Sequence, residues 1–107
     1  MRRGDIISVA APGDYGRPRP ALVVQSDFFQ EHPSITVCLM SSDLRDTPLF
    51  RFTVPPKPMN GLQKTSQVMV DKIVTLATTK MGAIIGRLDD SEMTEVSRLL
   101  ALWLGLA

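Results

Sequence analysis

Helical periodicity is confined to one stretch of this sequence, its end. In "DDSEMTEVSRLLALWLGL", residues 89–106, Met93, Val96, Leu100 and Trp103 recur at helical spacing. Asp89 with Glu92 three residues later forms a capping-box pattern, and Gly105 is a natural stop. Leu99, Leu102 and Leu106 widen the apolar face beyond one stripe, which implies cover on two sides, one of them from a partner. Trp103, at helical spacing, reads as a core residue.

Everything before that segment is cut into short extended runs. "GDIISVA" is a strand that ends at Pro12-Gly13-Asp14. A loop from Gly13 to Pro20 follows. "ALVVQ" is apolar on both faces, as a central strand is. "SITVCLMSS" places Ile35, Val37 and Leu39 on one side. In "LFRFTV", Phe50, Phe52 and Val54 face in, while Arg51 and Thr53 face out. "PPKPMNG" cannot join a ladder, because its three prolines lack donors. Its Asn60-Gly61 signals a tight turn. "SQVMVD" and "IVTLA" read as a strand pair, and "AIIGRL" as a last short strand. Short strands with one terminal helix predict a mainly β fold, a small, partly open barrel with a packed C-terminal α-helix.

A chain of 107 residues with 44% apolar content is sized for a single domain with one modest core, here 1–107. Net charge is +1, which excludes a strongly polycationic nucleic-acid binder but not a local basic patch. Residues 1–64 carry net +2 and the remainder net −1, so the cationic site is expected in the N-terminal half. A single cysteine, Cys38, lies in an apolar run and reads as a core residue. The start, Met1-Arg2-Arg3-Gly4-Asp5, has no apolar signal core, and no run approaches the ~20 apolar residues of a membrane span. A cytoplasmic location is expected.

Several chemistries are excluded by count. One histidine and one cysteine supply no metal-ligand pair, so neither metal nor cofactor is expected. His32, beside Pro33, reads as a solvated loop residue. With a single loop histidine a Ser/His/Asp triad is unconvincing, and a two-histidine ribonuclease mechanism is impossible by count. What remains is arginine, hydroxyl and carboxylate. In "GRPRPALVVQSD", Pro18 and Pro20 restrict the backbone around Arg19, so its guanidinium is presented with little entropy to lose. Its planar fork matches phosphate. The alternative is a surface arginine at a strand edge. Arg17 points the other way if the segment is extended. Ser41 and Ser42 end the third strand, as phosphate contacts or as a turn into "DLRD". Asp71 closes "QVMVD", where a turn or salt-bridge role is the simpler alternative.

Taken together, "RGDI" at 3–6, "GRPRPALVVQSD" at 16–27, "VCLMSS" at 37–42, "SQVMVD" at 66–71 and "IGRLDDSEMTEVSRLLALWLGL" at 85–106 resemble the MazF/PemK/Kid toxins of bacterial toxin–antitoxin pairs. The resemblance spans almost the whole chain and keeps motif order. It implies an open SH3-like barrel of the CcdB/PemK type, a homodimer, and a cognate antitoxin whose C-terminal peptide blocks the site. It implies a metal-independent endoribonuclease that cuts single-stranded RNA at short sequences. The RNA 2′-hydroxyl attacks, leaving a 2′,3′-cyclic phosphate. Carried over by position, the arginine of the Arg-Pro motif falls on Arg19. The hydroxyl ending the third strand falls on Ser41, its serine neighbour on Ser42, and the strand-end aspartate on Asp71. The Kid-like branch has a catalytic arginine two residues before that aspartate; Met69 stands there. The loop before the Arg-Pro motif lacks the common histidine or glutamate and offers Asp14 and Tyr15. Asp14 and Asp71 are therefore the candidate proton acceptors. Arg17, Ser42, Gln25, Thr65 and Gln67 are the candidate RNA contacts. Two other readings stand beside this one. A gyrase poison of the CcdB type shares the fold and is similar in "VQSD" and in a tryptophan near the C-terminus. A non-catalytic SH3-like module would bind an acidic-hydrophobic peptide.

Overall fold

The computed structural model describes residues 1–10 and 17–107. Six strands form one antiparallel sheet: β1 (Asp5–Val9), β2 (Arg19–Val23), β3 (Ser34–Ser41), β4 (Arg51–Val54), β5 (Ser66–Ala77) and β6 (Met81–Arg87). Their order is β4-β5-β3-β2-β1-β6. One helix, α1 (Asp90–Trp103), closes the chain. The predicted mainly β architecture with a C-terminal helix is what the chain adopts. No helix among the described residues is long and apolar enough to cross a membrane.

The expected pair "SQVMVD" and "IVTLA" is a single strand, β5. Asp71-Lys72 interrupts the apolar pattern, but it interrupts the ladder and not the strand. Cys38 pairs with Ile73 and Met40 with Val68, so two steps on β3 span five on β5. Such a bulge bends the strand and increases the local twist. The curled sheet buries a cluster on each face. One contains Ile6, Leu22, Cys38, Met40, Val54, Val68 and Val70 under Met93, Val96, Leu99 and Leu100 of α1. The other contains Ile7, Val9, Ala21, Val23, Ile35 and Val37.

The edges β4 and β6 do not pair. The loop between β4 and β5 crosses the seam instead, and Arg87 N donates to Met59 O at 3.0 Å. Asn60, 1% exposed, holds this loop. Its side-chain oxygen accepts from Lys57 N and Leu62 N, and Nδ2 donates to Pro55 O. Two glycines make the crossing possible. Gly61 has φ +67°, and a Cβ there would lie 2.3 Å from Ile85 O. A Cβ on Gly86 would lie 2.4 Å from both the carbonyl carbon and the oxygen of Asn60.

The opening "RGDI" is a clamp. Arg87 Nη1 donates to Asp5 Oδ1 at 2.6 Å, and Arg2 N donates to Asp5 Oδ2 at 2.8 Å. Arg3 reaches Val24 O at the end of β2 and Ser97 Oγ on α1, the latter at 2.7 Å. The α1 capping box is formed: Glu92 N donates to Asp89 Oδ1 at 2.7 Å, and Asp89 N to Glu92 Oε1 at 3.1 Å. The end of the helix departs from expectation. Trp103 is 51% exposed rather than core, with its ring 6.0 Å from that of Phe50. Leu102, Leu104 and Leu106 are exposed beside it. Helical spacing fixed their face, but the sheet beneath α1 ends before they do.

Gly86→Ala is expected to lower unfolding free energy by about 1–3 kcal/mol, because backbone atoms of the seam must move to admit the methyl group. Urea titration of the two proteins measures this directly. Equal midpoints would show that the seam yields without cost.

Candidate active site around Arg19

β2 begins at Arg19, opposite Val9 of β1. Pro18 and Pro20 fix the main chain on each side of it. On the other flank of β2, Ala21 pairs with Leu39. Continuing that register by two residues brings Arg19 alongside Ser41, the last residue of β3. Asp43 N donates to Ser41 Oγ at 3.0 Å. That bond uses one lone pair and leaves the Ser41 hydroxyl hydrogen available to donate.

Arg19 lines two adjacent clefts. The larger, about 390 Å³, is lined also by Ser42, Gln63, Lys64 and Ser66. The smaller, about 200 Å³, is lined also by Ser41, Leu39 and Met69. Met40 lies between them, lining both. The described lining of both clefts contains two cations, three serine hydroxyls and no carboxylate. That set favours an anion with several oxygens, such as a phosphodiester.

The other candidates fall in different places. Ser42 is exposed and lines the larger cleft. Thr65 is half-buried between the lining residues Lys64 and Ser66. Arg17 is exposed, outside β2. Asp14 lies outside the described residues. Asp71 lines neither cleft; it sits in the β5 bulge, with Oδ2 3.9 Å from Lys72 Nζ. Its Oδ1 is buried and makes no hydrogen bond among the described residues. Gln25 lies beyond the opposite end of β2, in a separate 190 Å³ cleft with Arg3 and His32. Its amide is occupied by Thr36 N, Ser34 O and Phe29 O.

Gln67 stands beside Ser41 in the ladder but is buried. Its Nε2 donates to Arg45 O at 2.9 Å and to Thr53 Oγ1 at 3.1 Å. Its Oε1 accepts from Arg45 N at 3.0 Å and from Arg51 Nη1 at 3.1 Å. Gln67 therefore pins the loop that leaves Ser41. Sequence reasoning missed Lys64 and Arg51. Lys64 directly follows the "NGLQ" turn, whose fold into the cleft depends on the seam. Arg51 pairs with Met69, so a guanidinium lies across the ladder from the position where the Kid-like arginine would stand.

Among the described residues, no three His, Cys, Asp or Glu side chains gather where a metal could be held. Cys38 is fully buried in the core. Burial pushes its thiol up to about 12, with the nearby Asp71 charge adding to the effect against the opposing pull of Arg3.

A family model described as "PemK-like, MazF-like toxin of type II toxin-antitoxin system" matches residues 2–104. The chain belongs to this family. It is 40% identical over 108 residues to the "Probable endoribonuclease MazF" of Mycolicibacterium smegmatis, covering 100% of this chain and 99% of that one. It is 25% identical over 111 residues to the "Endoribonuclease MazF" of Staphylococcus saprophyticus, covering 99% and 92%. A solved mycobacterial endoribonuclease in complex with its cognate antitoxin superposes with a TM-score of 0.82 at 24% identity, covering 100% of this chain and 97% of that one. A Deinococcus radiodurans MazE–MazF structure superposes with a TM-score of 0.78 at 19% identity, covering 100% and 97%. At these identities the solved structures establish the shared fold of PemK/MazF toxins, and the family match carries the rest.

A thiol raised to about 12 holds roughly a thousandfold less thiolate than one near 9. Native protein at pH 8 is expected to leave an aromatic disulfide reagent almost unreacted, and guanidinium-unfolded protein to consume one equivalent. Fast reaction of the native protein would contradict the core placement of Cys38.

Proposed function

We propose that the chain is the toxin of a toxin–antitoxin pair and acts as a sequence-specific endoribonuclease on single-stranded RNA, stopping translation and growth. The observation that carries this reading is that Arg19 and Ser41 line one cleft, in a chain matched over its full length by a probable MazF endoribonuclease. The RNA 2′-hydroxyl attacks the adjacent phosphorus, the bond to the 5′-oxygen breaks, and a 2′,3′-cyclic phosphate and a 5′-hydroxyl result. Arg19 binds the scissile phosphate and stabilises the extra negative charge of the pentacoordinate transition state. Ser41 donates its hydroxyl to a phosphate oxygen, and Ser42 and Lys64 hold the strand in the larger cleft. No step is routed through a metal.

The attacking hydroxyl must lose a proton. An arginine stays protonated and is a poor acceptor. Asp71 lines neither cleft, which favours Asp14, five residues before Arg19 in the chain. The substrate is single-stranded, because unstacked bases expose the edges that are read. The reading places the protein in the cytoplasm. It assigns the exposed apolar end of α1, Leu102 to Leu106, to cover by protein: a second copy in a homodimer or the cognate antitoxin.

Incubation of the protein with a long single-stranded RNA in EDTA, followed by mapping of the cut ends, tests the reading. Cuts at one short sequence with cyclic-phosphate ends are expected. Arg19→Ala should lower kcat/KM by about 10²–10³ at unchanged melting temperature. Asp14→Asn should lower kcat by about 10²–10⁴, while Asp71→Asn stays within a few-fold of wild type. Full activity in Arg19→Ala would remove the mechanism. Loss in Asp71→Asn alone would move the proton acceptor to β5.

A further inference from the structure

Four side chains stand in one row across the sheet. Ser41 of β3 pairs with Gln67 of β5, and Gln67 pairs with Thr53 of β4. Directly paired residues share a face, and the β2–β3 register brings Arg19 in beside Ser41. Strands lie about 4.8 Å apart, so Thr53 is about 10 Å from Ser41. That displaces it from the scissile phosphate onto the ground of a neighbouring nucleotide.

The middle of the row is closed to a ligand. Both N–H groups of the Gln67 amide are used, and its oxygen accepts twice. This saturation sets the chemistry of what flanks it. Thr53 Oγ1 accepts from Gln67 Nε2, which leaves the exposed threonine hydroxyl its hydrogen to donate and one lone pair. Arg51, one step along β4 from Phe52 and paired with Met69, commits Nη1 to Asp43 O at 2.9 Å and to Gln67 Oε1. The remaining N–H groups of its fork are donors as well. The outer face of β4 thus offers mainly donors: the free N–H groups of Arg51, which has no acceptor, and the Thr53 hydroxyl hydrogen beside one remaining lone pair.

We propose that Thr53 and Arg51 form a base-reading subsite for a nucleotide next to the scissile phosphate, selective for guanine or uracil. Guanine O6 and N7 and uracil O4 are acceptors that meet these donors. Adenine and cytosine carry an exocyclic amino group at the corresponding position, and donor would face donor. Gln67 is the positioning residue, hydrogen-bonded to both side chains. The inference rests on the ribonuclease reading of the Arg19 cleft.

The test uses pairs of single-stranded oligonucleotides that contain the mapped cut site and differ by one base at each flanking position. Wild type is expected to prefer guanine or uracil over adenine or cytosine by about tenfold or more in kcat/KM at one flanking position. Thr53→Val, isosteric without the hydroxyl, should reduce that ratio towards one, and Thr53→Ser should keep it. Arg51→Lys, which retains charge but not the fork, is the second variant and should erode the same ratio. Wild-type cutting with no such preference, or a preference unchanged in Thr53→Val or Arg51→Lys, overturns the subsite while leaving the ribonuclease standing. An equal fall for all bases overturns it too, since that marks a phosphate contact or a structural role. Absence of any Arg19-dependent cutting by the folded wild type removes the ribonuclease reading itself.

Discussion

The contact between Arg87 and Asp5 is the one on which the rest of the sheet is hung. It joins the start of β1 to the end of β6, 82 residues apart in the chain, at 2.6 Å. Asp5 is buried, so its carboxylate would be costly without a cation; Arg2 N fills its second oxygen. Arg3, on the adjoining turn, ties the same corner to the end of β2 and to α1. With β1 held at this corner, its ladder to β2 is registered, and Val9 stands opposite Arg19. The position of the proposed catalytic guanidinium is therefore set by a clamp at the far end of the same strand pair. A side chain within the cleft would be a less rigid reference, because it must also accommodate a ligand.

The parts of this architecture that were legible in the sequence are those with local causes. Asp89 and Glu92 announce the start of α1 because a capping box is built within one turn. Asn60-Gly61 announces its turn because positive φ falls on glycine. Arg19 could be singled out because the two prolines act on the main chain beside it. The rest depends on partners distant in the chain. Asp71-Lys72 ends an apolar run, and nothing local distinguishes a turn from a bulge in a continuing strand; only the ladder to Cys38 and Met40 does. Trp103 keeps helical spacing, yet burial depends on where the sheet ends beneath it. Gln67 reads as an RNA contact, because no sequence pattern separates a polar residue open to a ligand from one already satisfied by four polar groups. "RGDI" stands out as a motif, but its physical role appears only with Arg87 across the sheet.

Overall charge says little about this site. A net charge of +1 would not draw RNA from a distance, and the clefts need no such field. Arg19 and Lys64 share one cleft whose described lining lacks carboxylates, while Asp5, Asp43, Glu92 and Glu95 are each engaged by a cation elsewhere. The acidic residues of α1 lie at its N-terminus and along its outer face, where they serve the cap and the helix. Charge of both signs is thus sorted by position. A concave cleft that brings two cations together favours a phosphodiester more than the same charges spread over the surface would.

The Arg19 row also shows why a site on strand ends can be rigid without being buried. Ser41 is held by Asp43 N, Asp43 O by Arg51, and Arg51 and Arg45 by Gln67. Each bond of this chain is worth only about 1 kcal/mol net, but the Gln67 end is buried, and a buried polar group left unpaired costs more than that. The chain therefore resists opening from its inner end, and it holds the outer hydroxyls in place. Stability and site geometry run through the same bonds. A substitution at Gln67 would disturb every bond of its amide at once, whereas one at Thr53 removes a single acceptor from that amide and leaves its other three contacts in place. That difference makes the row separable into a scaffold and a reading surface.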